Sequence, residues 1–457
     1  MAGDSPPDIA QRALAVAGDD VQVTVVRERS LLSRFARSAP TQATAVEDTS
    51  VEILAVRDGH TASATTNRLD DDALRATARR AGAAAAAVAR AGSGLHPGLA
   101  EPAPAPGAEH AGYDAATAAL DPEHAAGALR TAFAVAAEHG LEAFGVWSVG
   151  AVRTAIVSTT GLQCDDEVTD AFMKVVCRDA GGRSGYAAGT AVAASGIEDE
   201  ALARRAASKV GDAPLAELGP GSWPVVLEPD AVGLLLEFLG GLAFNGLDHA
   251  EGRGALSDRL GTSVAAPSIS LADAAGAPGT LPRAFDLEGV PKTSVALIDG
   301  GVATGVVHDR RSAAVAGDGA RSTGHATAPG GSPHGPSPTN LILAGGAAAD
   351  AAELASTIER GLYVTRLWYV NTVREKETLL TGMTRDGTFL IEDGAITRPT
   401  ANVRFTDSVL RLLAATEELT RARRLVSEGE FYGRRFANGV LCPALRAGGF
   451  RVTGATE

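Results

Sequence analysis

Apolar residues recur at helical spacing in PDIAQRALAVAG (residues 7–18) and then switch to strict alternation in DVQVTVVRE, Asp20–Glu28. The first pattern predicts an amphipathic helix and the second a strand with one buried side. TSVEILAVRDGHTASATTNR (Thr49–Arg68) reads as two strands joined at Asp58-Gly59, a residue pair suited to a tight hairpin. LDDDALRATARRAGAAAAAVARAG follows as a long helix, acidic in its first turn and arginine-bearing further along, as the helix dipole prefers. Further on, the pattern predicts a helix over Pro122–His139. Two strand stretches, FGVWSVGAVRTAIVST and DEVTDAFMKVVCRD, are separated by the turn STTGL, and a helix is expected over Asp199–Ala213.

Two Pro- and Gly-rich stretches interrupt this series. SGLHPGLAEPAPAPGAEHAGYD (Ser93–Asp114) reads as an exposed loop, and PLAELGPGS (Pro214–Ser222) as the boundary between domains of residues 1–215 and 216–457. The second half changes to short strands, SVALIDGGVATGVVHD, TLLTGMTRDGTFLIEDGAIT and GGFRVTG, with one helix over Ala349–Gly361 and a long loop from Gly317 to Asn340. Helices and strands segregated in this way predict an α+β architecture and not alternating βαβ units. EPDAVGLLLEFLGGLAFNG (Glu228–Gly246) is an apolar helix whose middle carries one carboxylate, Glu237, and no His or Cys.

Composition narrows the classes of function. Aromatic residues make up 4% of the 457, so Ala, Val and Leu must build the core. With 55 acidic against 41 basic residues the net charge is -14, a surface that repels phosphate backbones and argues against nucleic-acid binding. The three cysteines, Cys164, Cys177 and Cys442, form no CxxC and no disulfide framework, which suits a reducing cytosol. MAGDSPPDIAQRALAVAG is too polar for a signal peptide, and no apolar stretch reaches the roughly 20 residues of a membrane span. A soluble cytoplasmic protein is expected.

The residues alone offer little chemistry. There is no HExxH; Asp248, His249 and Glu251 in DHAEG read as a solvated polar loop. Ser322 and Thr323 precede His325, but neither an orienting acid nor a GxSxG elbow is visible. Cys442, before Pro443, reads as a buried inert thiol, and GGVATG lacks the following helix of a phosphate loop.

Taken in order, several segments resemble the TldD/PmbA family, once called modulators of DNA gyrase. They are WPVVLEPDAVGLLL, RAFDLEGVPKTSVALIDGGVATGVVHD, STGHA, PTNLIL, GLYVTRLWY, GTFLIEDGAI, ANVRFTD and PALRAGGFRVTG, with SRFARSAPTQAT, TTNRLDDDAL and STTGL in the first half. The resemblance implies a two-domain fold and a zinc metallopeptidase of two homologous subunits. One, TldD-like, bears HExxxH on the helix after LEPxAxGxLL with a cysteine near the C-terminus. The other, TldE- or PmbA-like, lacks these ligands. Carried onto this chain, the two histidines fall on Leu236 and Gly241, the acid on Glu237, and Cys442 lies toward the cysteine's end of the chain. Leu and Gly donate no lone pair, so the resemblance implies a non-catalytic subunit with no metal site and no cofactor of its own. Zinc is expected in a TldD-like partner of a heterodimer. It also places Ser322, Thr323, His325 and Asn340 toward a peptide-substrate channel. Two alternatives stay open: a stand-alone hydrolase using Ser322/His325 or Cys442, and a tailoring or scaffolding subunit of a biosynthetic pathway.

Overall fold

The computed structural model describes residues 4–92, 96–102, 110–317, 319–431 and 433–455. Helix α1 (Pro6–Ala15) starts where Ser5 and Asp8 cap each other's backbone N–H, and leads into β1 (Val21–Ala36). The chain returns along β2 (Ala39–Arg57) and β3 (His60–Thr66). Asp58 and Gly59 both take positive φ, 49° and 72°, so the hairpin expected at this pair forms. After α2 (Asp71–Ala91), α3 (Ala115–Ala118) and α4 (Pro122–Glu138) come β4 (Glu142–Ser158), β5 (Gln163–Arg178), β6 (Ser184–Ala191) and α5 (Asp199–Ser208). The six strands form one antiparallel sheet in the order β3-β2-β1-β4-β5-β6.

Alternation along β1 explains how this sheet is covered. Val21, Val23 and Val25 pack with α1 and α2, and Leu31 and Phe35, on the same face, pack with α4 and α5. The opposite face carries Gln22 and Thr24, yet these are only 2% and 1% exposed. The second half of the chain covers them, and Gln22 donates from Nε2 to the carbonyl of Leu287 at 2.9 Å.

That second half contains β7 (Gly221–Leu227), α6 (Pro229–Ala243), α7 (Gly246–Ala250), β8 (Leu271–Asp273), β9 (Val295–Asp299) and β10 (Val302–Ala303). Helix α8 (Arg310–Ala316), β11 (Asn340–Leu343), α9 (Ala351–Ala355), β12 (Arg360–Arg374), β13 (Leu379–Glu392) and β14 (Ala395–Pro399) follow. Then come β15 (Val403–Ser408), α10 (Val409–Ala414), β16 (Thr416–Val426) and β17 (Gly439–Ala455). Its mixed sheet runs β10-β9-β8-β11-β17-β15-β13-β12-β7, and because β7 also pairs with β17 the last five strands close on themselves. Leu235, Leu236 and Leu239 of α6 are buried in the largest apolar core, with Leu227, Leu362 and Phe405.

The α+β class is observed, and three local expectations are corrected. The helix expected over Ala349–Gly361 is cut to α9, because Arg360 already begins β12 and Gly361 lies where an added Cβ would come within 2.6 Å of the Pro224 carbonyl oxygen. Helix α5 ends at Ser208 and not at Ala213; Lys209 leaves it to reach Glu228, its Nζ 2.6 Å from Oε1. Of the loop expected over Ser93–Asp114, residues 93–95 and 103–109 lie outside the described residues. The rest is tied down: Leu99 and Ala100 are buried, and His110 Nε2 is 2.7 Å from Asp166 Oδ1.

Candidate functional site

Pro229 supplies the fixed φ of a first helical residue, and Asp230 places negative charge at the positive end of α6. The start of the helix is held by charge. Glu228, 4% exposed, meets Lys209 from the first half and Arg424 of β16 at 2.9 Å, and accepts from the Tyr363 hydroxyl. Burial would raise its pKa, but Lys209 and Arg424 outweigh that and hold the carboxyl below its usual range.

Three positions along this helix then face three ways. Leu236 is fully buried in the core, Gly241 is exposed with open space where a side chain would stand, and Glu237 points into a cleft. Cys442 is elsewhere: its Sγ lies 3.4 Å from the carbonyl of Pro229, seven residues or about 10 Å of helix before Leu236. Burial, with Asp230 adding to it, pushes that thiol far above its ordinary pKa. A buried leucine, a glycine and a distant protonated thiol do not fit a zinc ion, which needs three converging donors and an open position.

The cleft has a volume of about 450 Å³, within the range of ligand sites. Leu234 and Phe238 of α6 and Val426 of β16 line it with apolar surface; Trp368 and Tyr369 of β12 stand at it, the latter 73% exposed. Lys174 and Tyr186 close it from the first sheet. Water reaches Glu237, yet the walls crowd it, and this desolvation together with the nearby Glu428 pushes its pKa up to about 7. A carboxyl raised above its unfolded value of about 4.3 is destabilising when ionised, so its cost is absent at low pH and complete above about 7. Glu237→Gln is expected to stabilise the protein at pH 8 by up to about 1 kcal/mol, limited by solvent access, and to change nothing at pH 4. Equal effects in urea melts at the two pH values would refute this account.

Ser322, Thr323, His325 and Asn340 are brought into one region, where their polar atoms bond within the chain. Ser322 Oγ donates to the His308 carbonyl at 3.3 Å, and Thr323 Oγ1 accepts from the His308 N–H at 2.8 Å. His325, 1% exposed, has Nδ1 2.9 Å from Thr323 Oγ1 and Nε2 3.0 Å from Asp273 Oδ1. Asn340 donates to Thr280 Oγ1 at 2.9 Å and accepts from Leu281 N–H at 3.2 Å. Asp273 is thus the acid beside His325 that local sequence could not reveal, 52 residues away. The DHAEG residues sit on and after the short helix α7 and are not a free loop. Both Asp248 and Glu251 pair with Arg253, at 2.7 and 2.5 Å. Sequence reading also missed Glu428, Lys174 and Glu430, which carried no pattern beyond charge.

A family model described as the PmbA/TldA metallopeptidase C-terminal domain matches residues 220–454, and one described as PmbA/TldA metallopeptidase domain 1 matches residues 21–85. Among solved structures, TldE from Thermococcus kodakarensis superposes with a TM-score of 0.83 at 19% identity, over 98% of this chain and 99% of that one. A proposed modulator of a DNA gyrase from Thermotoga maritima gives 0.81 at 20% identity, over 97% and 99%. A proposed modulator of DNA gyrase from Bacteroides thetaiotaomicron gives 0.79 at 18%, over 99% and 100%. At these identities the likeness is one of fold. No curated protein matches the chain. No helix among the described residues is long and apolar enough to cross a membrane.

Proposed function

Since the chain belongs to the PmbA/TldA metallopeptidase family, we propose that it is the subunit of a two-subunit cytoplasmic peptidase that carries no zinc. It pairs with a homologue whose corresponding helix bears HExxxH, and its Glu237 cleft forms one wall of the space that receives a peptide. The observation that carries this reading is the fate of the two ligand positions, one filled by a core leucine and the other by a glycine. The partner supplies the metal, which activates water for amide hydrolysis. This chain supplies walls, and apolar and aromatic groups that desolvate an extended peptide.

The reading predicts that mixing the chain with an HExxxH-bearing homologue yields peptidase activity shown by neither alone. Full-rate hydrolysis by that homologue unaided would overturn it. Ser322→Ala and Cys442→Ala are expected to leave the mixed activity within about twofold, because each of these side chains bonds only a backbone carbonyl or N–H within the chain. Loss of all activity in either variant would favour a stand-alone hydrolase.

A further inference from the structure

The Glu237 cleft holds charge that the chain itself does not balance. Of the acids lining it, Asp230 is paired with Arg424 at 2.9 Å, and Glu430 with Lys174 and, at 3.1 Å, with Arg34. Of the cations, Lys174 is taken by Glu430, and Arg366 turns to Asp386, its Nε 2.8 Å from Oδ2, while stacking on Tyr186. Glu237 and Glu428 remain. Among the described residues neither carboxylate has an ion pair or a hydrogen bond, although each lines the same space as the apolar side chains of Leu234, Phe238 and Val426. Two like charges that share a crowded, partly apolar cleft repel each other, and an arriving cation relieves that repulsion.

We propose that this cleft takes the side chain of a lysine or arginine from an extended peptide. Its alkyl stem lies along Leu234, Phe238 and Val426, and its charged head sits between Glu237 and Glu428. The proposal rests on the reading of the cleft as a peptide wall and adds the substrate class. A long basic side chain matches both parts of the surface, since its methylenes bury against apolar groups while its head keeps to charge and water. A neutral side chain of the same length gains only the stem contacts. An acidic one meets two carboxylates without compensation.

The test titrates the purified full chain, by calorimetry at low salt, with Ala-Ala-Lys-Ala-Ala and with the same peptide bearing norleucine or glutamate in the centre. The lysine peptide is expected to bind about tenfold more tightly than the norleucine peptide, and the glutamate peptide most weakly, with the differences shrinking as salt is added. In the double variant Glu237→Gln, Glu428→Gln the lysine preference disappears and the norleucine affinity stays. Equal binding of lysine and norleucine peptides to the unaltered chain overturns the cation site and leaves the peptide wall standing. So does a lysine preference that survives in the double variant. Free butylamine binding as tightly as the lysine peptide overturns a peptide source for the cation. Binding of none of the peptides overturns site and wall together; pairing with the HExxxH-bearing homologue is read separately, from the mixed peptidase activity.

Discussion

Replacing Arg435 with alanine is expected to lower the unfolding free energy by about 3–5 kcal/mol, the cost of leaving a buried charge without its partner. Arg435 and Asp170 are each 3% exposed. The guanidinium grips the carboxylate with both arms, Nε to Oδ1 at 2.7 Å and Nη2 to Oδ2 at 2.6 Å, and its remaining arm donates to Ser148 Oγ at 3.1 Å. Room for it exists because residue 150 is glycine; an added Cβ there would come within 2.4 Å of Arg435 Cδ. The alanine variant leaves Asp170 inside the protein without the guanidinium that grips it, and only Arg283, at longer range, still offsets its charge. The pair itself contributes far less than its loss costs, so Asp170→Asn combined with Arg435→Met is expected to recover most of the stability. Urea unfolding of the three proteins decides the matter. A single-variant loss below about 1 kcal/mol would show that water already reaches the pair.

A comparable loss, again about 3–5 kcal/mol, is expected for Asp273→Ala at pH 7. Asp273 is fully buried, and its Oδ2 accepts from the backbone N–H groups of Thr339 and Asn340 at 2.7 and 2.9 Å. Its Oδ1 faces His325 Nε2 at 3.0 Å and Lys292 Nζ at 3.7 Å. Burial works to raise its pKa, but the contact with His325 and the charge of Lys292 prevail and hold the carboxyl well below the usual carboxylate range. Such a depressed group contributes stability that is present above its unfolded pKa, near 3.9, and is lost as the pH falls through the folded value. The gap between unaltered protein and variant should therefore be full at pH 7 and narrow below about pH 4. Burial presses His325 and Lys292 toward their neutral forms, and without Asp273 both lose the charge that opposes this. A gap that stays constant from pH 7 to pH 3 would mean that the carboxylate charge plays no part.

What the sequence revealed depended on the range of the interaction. The helices α1, α2 and α4, the Asp58-Gly59 hairpin and the apolar α6 all rest on residues within a turn or two of each other, and periodicity reported them. The family resemblance rests on order along the chain, which also needs no contacts, and through it Leu236, Glu237 and Gly241 could be singled out. The cleft could not be. It is assembled from α6, β12, the segment after β16 and the first sheet, and Glu428 becomes notable only because it has no partner there. For the same reason His325 looked like a histidine without an acid, since Asp273 reaches it across the fold. The polar alternation of β1 misleads differently. Gln22 and Thr24 suggest water on that face, whereas the other half of the molecule lies there.

The segment between β16 and β17 also has a consequence for how the chain is made. Arg435 enters the first sheet beside Asp170, its backbone N–H donates to Glu28 at 2.9 Å, and Gly429 lies against Phe172 where no Cβ would fit. A ribosome delivers Glu28, Ser148 and Asp170 long before it delivers Arg435. Until then Glu28, Ser148 and Asp170 lack the arginine they bind, on a face that also carries the apolar Val26, Val152 and Val168. The arginine that fits this face is made 265 residues after the Asp170 it grips, so this part of the first sheet is completed by the second half of the chain. A chain cut short before Arg435 would leave Asp170 and Ser148 without the guanidinium that joins the second half to the first sheet at that point.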